Sequence, residues 1–318
     1  MYASISISGL LTLELHALNN EGAEGNTMMT RMVDIIDRDG KKHTVNAISG
    51  DMFKHILVEH LLGEARRDEL PLCNGCRVFD PNRIQADTEF TGDKSYSRDT
   101  PESVILSDAV RRCVIDDCAG ILITSEIGKK RSIARKSCVE FGWVVGRPDA
   151  VTTDSYFHAK YVPEGRGEGS GEAANLGQNI FHRPASSGQY AVVVNVDLYK
   201  VGRNDITLEH VLDAPELNRR KAALLRSLVS ALVKPTGAHR NTQNPHVVDF
   251  TGVIASSRSS VPAPSVSALN VEYADQIEGV ADALNTMSGA GETVSVHRFG
   301  SLAAFSREMA RMIAEIGS

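Results

Sequence analysis

Five cysteines stand in the 318-residue chain: Cys73-Asn-Gly-Cys76, Cys113-Val-Ile-Asp-Asp-Cys118, and Cys138. One pair two residues apart and one pair four apart can together offer four thiolates to a tetrahedral zinc. Cys73, Cys76, Cys113 and Cys118 are therefore a candidate structural zinc site. The alternative is that Cys113 and Cys118 are simply small buried residues. The histidines show no spaced pairing around the cysteines that would add ligands. An odd cysteine count, with a leading Met1-Tyr-Ala-Ser-Ile-Ser-Ile that has no basic start, predicts a reducing cytoplasm rather than disulfide bridges.

Positive charge is concentrated in two places. Lys129-Lys-Arg-Ser-Ile-Ala-Arg-Lys136 carries five cations with no acid among them. Such a run is either a solvated face or a phosphate contact, because counterion release rewards local rather than global charge. A second patch comprises Arg31, Lys42, His43, Asn46, Ser49, Gly50 and Lys54, around the start of an expected helix whose free N–H groups could meet a phosphate. The net charge of −6 opposes indiscriminate coating of nucleic acid, so any binding must run through a local groove. Aromatic residues interleave poorly with the basic run, and base stacking would have to come from elsewhere.

Other chemistries find no footing. Gly-x-Ser-x-Gly, His-Glu-x-x-His, a Walker A lysine and a dinucleotide fingerprint are all absent from the sequence. The glycines of Gly165–Gly171 lack the Lys-Ser/Thr ending of a phosphate loop. No apolar run approaches the roughly 18 residues a membrane span requires, and a mean hydropathy of −0.17 suits a globular chain.

The elements that would position these residues can be read from periodicity. Ile5, Ile7, Leu11 and Leu13 alternate with serines, a first strand. Met32–Ile36 and Lys41–Val45 flank Asp37-Arg-Asp-Gly40, a hairpin. A helix begins at Ser49, with Met52, Phe53, Ile56, Leu57 and Leu61 as its apolar stripe, and Gly63 is placed to end it. Residues 64–110 read as an insertion outside the core. The glycine-rich stretch from Pro163 to Gln189 reads as a mobile projection. Tyr190–Leu198 is a strand, Pro215–Val233 a helix, Val247–Ala255 a strand, Glu292–Phe299 a last strand, and Leu302, Phe305, Met309, Met312 and Ile316 mark a closing helix. The order is compatible with a ferredoxin-like core carrying large insertions.

Taken in order, several of these pieces resemble the CRISPR-associated backbone proteins of type I Cascade complexes, in their DevR autoregulator-like branch. They are Ser6-Ile-Ser-Gly-Leu-Leu-Thr-Leu-Glu14, Leu18-Asn-Asn-Glu-Gly22, Arg31, Asn46-Ala-Ile-Ser-Gly50, Cys113-Val-Ile-Asp-Asp-Cys-Ala-Gly-Ile-Leu122, Lys130-Arg-Ser132, Phe181-His-Arg-Pro-Ala-Ser-Ser-Gly-Gln-Tyr190 and Gly202. They extend from about residue 5 to 255; the last 60 residues or so match nothing.

The resemblance implies an α+β fold: an RRM-like (ferredoxin-like) palm, an inserted helical subdomain and a projecting thumb. The palm would comprise 1–63, 104–151 and 188–260, completed by a C-terminal strand and helix in 261–318. The insertion would be 64–103 and the thumb 152–190. It also implies a non-catalytic subunit that polymerises along a CRISPR RNA for antiviral defence, with target DNA paired to the guide and other Cascade subunits as partners. RNA binding would need no cofactor. The RNA contacts would fall on Asn19, Asn20, Arg31, Lys42, His43, Asn46, Ser49, Gly50, Lys54, Lys129, Lys130, Arg131, Ser132, Arg135, His182 and Arg183. Related type III subunits cut target RNA with an early-loop aspartate, for which Asp34, Asp37 and Asp39 are the candidates; a metal would be needed, and such acids are common in hairpin turns. No helix-turn-helix supports DNA-binding regulation.

Overall fold

The computed structural model describes residues 2–97, 99–124, 127, 132–161, 178–236, 242–289, 291 and 293–317. The alternating first segment is β1 (Ser4–His16), and it lies near the middle of a broad sheet. Its neighbours are β10 (Gln178–Val196) on one edge and β11 (His246–Ser257) on the other, both antiparallel. Beyond β10 lie β8 (Val139–Phe141) and β9 (Val144–Tyr161), which follow one another along the same edge. Beyond β11 lies β12 (Val294–Phe299). The hairpin predicted around Asp37–Gly40 forms β4 (Met32–Ile36) and β5 (Lys42–Ile48), and β5 joins the sheet through β9. A second small hairpin, β2 (Asn20–Glu24) with β3 (Thr27–Thr30), leans on β10 at His182.

One face of this sheet is closed by helices. Ile5, Ile7, Leu11 and Leu13 of β1 join Val192, Val194 and Val196 of β10 and Phe250 and Ile254 of β11. They meet α1 (Gly50–Arg67), α6 (Ala214–Val233) and α8 (Leu302–Gly317). The stripes read from sequence face inward: Phe53, Ile56, Leu57 and Leu61 on α1, Leu224, Leu228 and Leu232 on α6, and Phe305, Met309, Met312 and Ile316 on α8 are all buried. At about 25 cal/mol per Å² of apolar area, such burial is what holds α1 and α6 on the sheet. Part of the opposite face is covered too, where α7 (Tyr273–Ser288) sets Ile277 against Val253 and Ala255.

Four expectations are corrected. Gly63 does not end α1, which continues to Arg67 because Leu62 and Ala65 are buried and Arg226 of α6 pairs with Glu64 and Asp68; the roughly 1 kcal/mol cost of a mid-helix glycine is outweighed. Residues 64–110 are not outside the core. Here α2 (Asn74–Arg77), a 3₁₀ turn Arg83–Ala86, α3 (Thr88–Thr91) and α4 (Glu102–Arg112) bury Leu70, Ile84, Phe90, Ile105 and Leu106 in the same cluster as α1. The described part of the projection is ordered ribbon, since Gln178–Gly188 pairs residue by residue with Val151–Tyr161; residues 162–177, with Gly165–Gly171, lie outside the described set. Helix α7 was not expected, because the Ser/Pro-rich stretch before it masked its period. Between α4 and β8 lie α5 (Val114–Ala119) and the short pair β6 (Ile121–Ile123) and β7 (Ile133–Arg135).

A pH response follows from His16, where β1 bulges and the inward register moves from Leu13 to His16. The ring is buried, accepts the Leu18 N–H on Nδ1 at 3.4 Å, and meets Tyr190 edge-on at 5.0 Å. Burial lowers its pKa from 6.5 to about 4. The unfolded chain therefore binds the proton first, and stability is complete above pH 6.5 and lost as pH falls toward 4. The full difference is on the order of 3 kcal/mol. Denaturant midpoints measured from pH 7 to 5 should fall more steeply in the native chain than in His16→Phe; parallel profiles would refute this.

Candidate nucleic-acid interface

Helix α1 starts where three strands converge. Ser49 caps it, accepting the Met52 N–H on its hydroxyl at 3.2 Å, as its sequence position predicts. Its own N–H donates to Asn19 Oδ1 at 2.8 Å, tying the end of β1 to the helix start. The first helical residue must be glycine, because a Cβ on Gly50 would stand 2.5 Å from the Phe141 carbonyl oxygen. That close approach brings the Phe141-Gly-Trp143 turn against the helix N-terminus.

Trp143, the only tryptophan in the chain, is 44% exposed there, and the Arg31 guanidinium lies over its ring at 5.3 Å. Arg31 also pairs with Glu21, a carboxylate that occupies one side of the guanidinium as a phosphate oxygen could. A cation, a free aromatic face and a helix N-terminus thus share one corner of the sheet. Of the residues the sequence singles out, Arg31, Ser49 and Gly50 lie at this corner; Trp143, which lies there too, is not among them. Its rarity was the available signal; its exposure was not readable.

The corner continues along the ribbon. Asn20 begins β2, with both amide atoms buried and without a hydrogen-bond partner. The β2–β3 hairpin meets β10 where the His182 N–H donates to Asn26 O at 2.8 Å. His182 lies edge-on to Phe157, which is 60% exposed, and Arg183 lies over Phe181 at 4.8 Å while donating to Thr242 Oγ1. Side chains alternate across a strand, so His182 with Phe157 and Arg183 with Phe181 stand on opposite faces of the ribbon, each pairing a basic with an aromatic group as single-stranded nucleic acid uses for phosphate contact and stacking.

The remaining candidates do not assemble here. Asn46 is 1% exposed, and its amide donates to Arg31 O at 2.9 Å and accepts from the Tyr190 hydroxyl at 2.9 Å. It joins strands and is not available to a ligand. Lys42 pairs with Asp34 and His43 with Asp37 at the hairpin, at 2.6 and 2.7 Å. Those contacts lower the pKa of both carboxyls, that of Asp34 through Lys42 and that of Asp37 through His43. Lys54 lines a cleft of about 630 Å³ with Asp51, His55 and Arg83, where burial and then the Arg83 charge lower its pKa.

In the basic run, Ser132 and Lys136 are exposed, but Arg135 is buried against Asp117 at 2.8 Å and Asp205 at 2.9 Å. It braces the core, because an unpaired guanidinium could not be buried there. Lys129, Lys130 and Arg131 lie outside the described residues.

The cysteines separate in the same way. Cys73, Cys76, Cys113 and Asp116 place their ligand atoms within 4.8 Å of one another, all buried. Burial and the Cys113 thiol push the Asp116 carboxyl well above the usual carboxylate range. Cys118 is not in this group. On α5 a residue three positions after Cys113 shares its side of the helix, whereas one five positions on is turned roughly 140° away, toward Cys138, whose N–H donates to the Cys118 carbonyl at 2.9 Å.

Fold and site together define a mixed α+β protein built on a broad antiparallel sheet, with an aromatic and cationic corner at the start of its first long helix. The chain belongs to the family of the CRISPR-associated negative auto-regulator DevR/Csa2, whose model matches residues 7–278. No curated protein matches it in sequence. Among solved structures it is similar to a chain of a CRISPR RNA-guided surveillance complex in a pre-nicking state, at TM-score 0.52 and 14% identity, covering 98% of this chain and 100% of that one. A chain of another CRISPR RNA-guided surveillance complex aligns at TM-score 0.50 and 15% identity, covering 98% and 99%. At such identities the likeness is one of fold. Among the described residues no helix is long and apolar enough to cross a membrane.

Proposed function

We propose that this chain is a non-catalytic CRISPR RNA-binding backbone subunit, several copies of which polymerise along one guide in a type I Cascade-like DNA surveillance complex in the cytoplasm. The observation that carries the reading is the Arg31–Trp143 pair beside the α1 N-terminus. The neighbouring folds come from CRISPR RNA-guided surveillance complexes, which supports guide RNA and other complex subunits as partners; guide-paired target DNA and further copies of itself follow from the proposed role.

The strand order supports an RRM-like palm. Strands β11, β1, β10 and β8 lie side by side and antiparallel, with α1 in the connection from β1 to β8 and α6 in that from β10 to β11. That order supports the ferredoxin-like reading, with the β9–β10 ribbon as its thumb. A net charge of −6 is compatible with it, because phosphate contact depends on local cations such as Arg31 rather than on the total. The nuclease alternative loses ground, since the oxygens of Asp34 and Asp37 serve the hairpin: Thr44 and Lys42 bond Asp34, and His43 and the Asp39 and Lys41 N–H groups bond Asp37.

The test is co-expression of the full chain with a CRISPR array transcript, followed by sequencing of the RNA that purifies with it. Repeat-derived guide RNA, protected at regular intervals, is the expected result. Random cellular RNA, or none, would overturn the reading, and magnesium-dependent cleavage of paired target RNA would replace it with the nuclease.

A further inference from the structure

We propose that Cys73, Cys76, Cys113 and Asp116 form a structural zinc site of Cys₃Asp type that pins the 68–91 excursion to α5. Cys73 caps the short helix α2 and Cys76 lies within it, where the Cys76 N–H donates to Cys73 Sγ at 3.3 Å, a contact that favours a thiolate. Cys113 and Asp116 come from one side of α5. Cys73 Sγ lies 3.3 Å and Cys76 Sγ 3.7 Å from Asp116 Oδ2. With zinc–sulfur bonds of about 2.3 Å and zinc–oxygen bonds of about 2.0 Å, a tetrahedron sets sulfur and oxygen about 3.5 Å apart. Both of these pairs already stand near that spacing, and all four ligand atoms lie within 4.8 Å of one another.

A second observation points independently to a ligand. Asp116 Oδ1 is fully buried and has no hydrogen-bond partner. A carboxylate in that position is costly unless a cation satisfies it. Arg83 gives it no hydrogen bond, its Nη1 donating instead to the Gly120 carbonyl at 2.5 Å. Three sulfurs and one carboxylate oxygen select a borderline-soft cation of tetrahedral habit, which is zinc rather than magnesium or calcium. All four groups are nearly inaccessible, Asp116 at 1% being typical, and a closed four-ligand set is the structural rather than the catalytic form of a zinc site.

The test uses the tag-free full chain purified with reductant. About one zinc per chain is expected by elemental analysis, and cobalt(II) exchanged into the protein should give the intense visible bands of a tetrahedral thiolate site. Zinc content should fall about tenfold or more in Cys113→Ser and stay unchanged in Cys118→Ala; a chelator should lower Tm in the native chain. Because Cys113→Ser can fail to fold, Asp116→Cys supplies a second reading: it should keep the zinc and intensify the cobalt bands. The proposal is overturned by native protein without stoichiometric metal, by disulfide-linked Cys73, Cys76 or Cys113 in its place, or by metal that is lost with Cys118 rather than Cys113.

Discussion

Asp117→Ala is expected to lower Tm by on the order of 10 °C. Asp117 is wholly buried and accepts from Arg135 Nη2 at 2.8 Å, Arg220 Nη1 at 2.9 Å and the Gly202 N–H at 2.9 Å. Arg220, itself wholly buried, also donates to the carbonyls of Val110 and Arg111 and to Glu216. One carboxylate therefore links α5, α6, β7 and the turn at Gly202. Its removal takes away the one fully buried carboxylate between two buried guanidiniums, leaving Arg135 with Asp205 and Arg220 with Glu216, and breaking a buried pair costs about 3–5 kcal/mol. At roughly 2–4 °C per kcal/mol for a large domain, that gives the stated shift. Asp117→Asn, which keeps one acceptor oxygen at the site, should lose less. Replacing Asp117, Arg135 and Arg220 together by apolar residues should cost less than the single changes summed. Thermal unfolding of the three variants decides it: a shift below about 2 °C for Asp117→Ala would mean that water reaches the network.

The largest expected effect on binding is at the corner of the sheet. Trp143→Ala should weaken single-stranded RNA binding roughly 5- to 150-fold, the loss of one stacked base at about 1–3 kcal/mol. Its salt dependence should stay the same, because no charge is removed. Arg31→Ala should weaken binding across all sequences and reduce the slope of log affinity against log salt by about one. The contrast between the two separates stacking from phosphate contact. Trp143 and Arg31 are both partly exposed, so neither change should unfold the protein. Folded variants with native affinity would place the RNA elsewhere.

Arg135 shows why such variants must be chosen from the structure. Grouped with Lys130 and Arg131 as one basic run, it invites a triple substitution, and loss of binding in that protein would be read as lost phosphate contacts. The buried pairs of Arg135 with Asp117 and Asp205 mean that the loss would instead report damage to the core.

Much of the architecture was legible because it is written in short-range pattern. Strand β1 announces itself by alternation over thirteen residues, α8 by five apolar residues at helical spacing, the β4–β5 hairpin by Asp-Gly, and α1 by the Ser49 cap that the structure retains. Each depends on neighbours within a few residues, and local rules see that far. The paired half of the projection escaped them. Gln178–Gly188 is strand because Val151–Tyr161 lies beside it, and its own composition says little.

What the sequence by itself determined was therefore the kind of elements, the sides of the helices that face the core, and the family that their order resembles. Only the tertiary structure decided which polar residues are inside. Arg135 and Lys136 are adjacent and alike in charge, yet one is buried and the other exposed. Arg135 goes in because Asp117, eighteen positions before it, and Asp205, seventy after it, meet its guanidinium. In the same way, Asp116 rather than Cys118 completes the cysteine cluster, and Trp143 meets Arg31 from the turn between β8 and β9. Burying a charge or assembling a site depends on partners that the chain supplies only after it has folded, and their separation along the sequence carries no period to read.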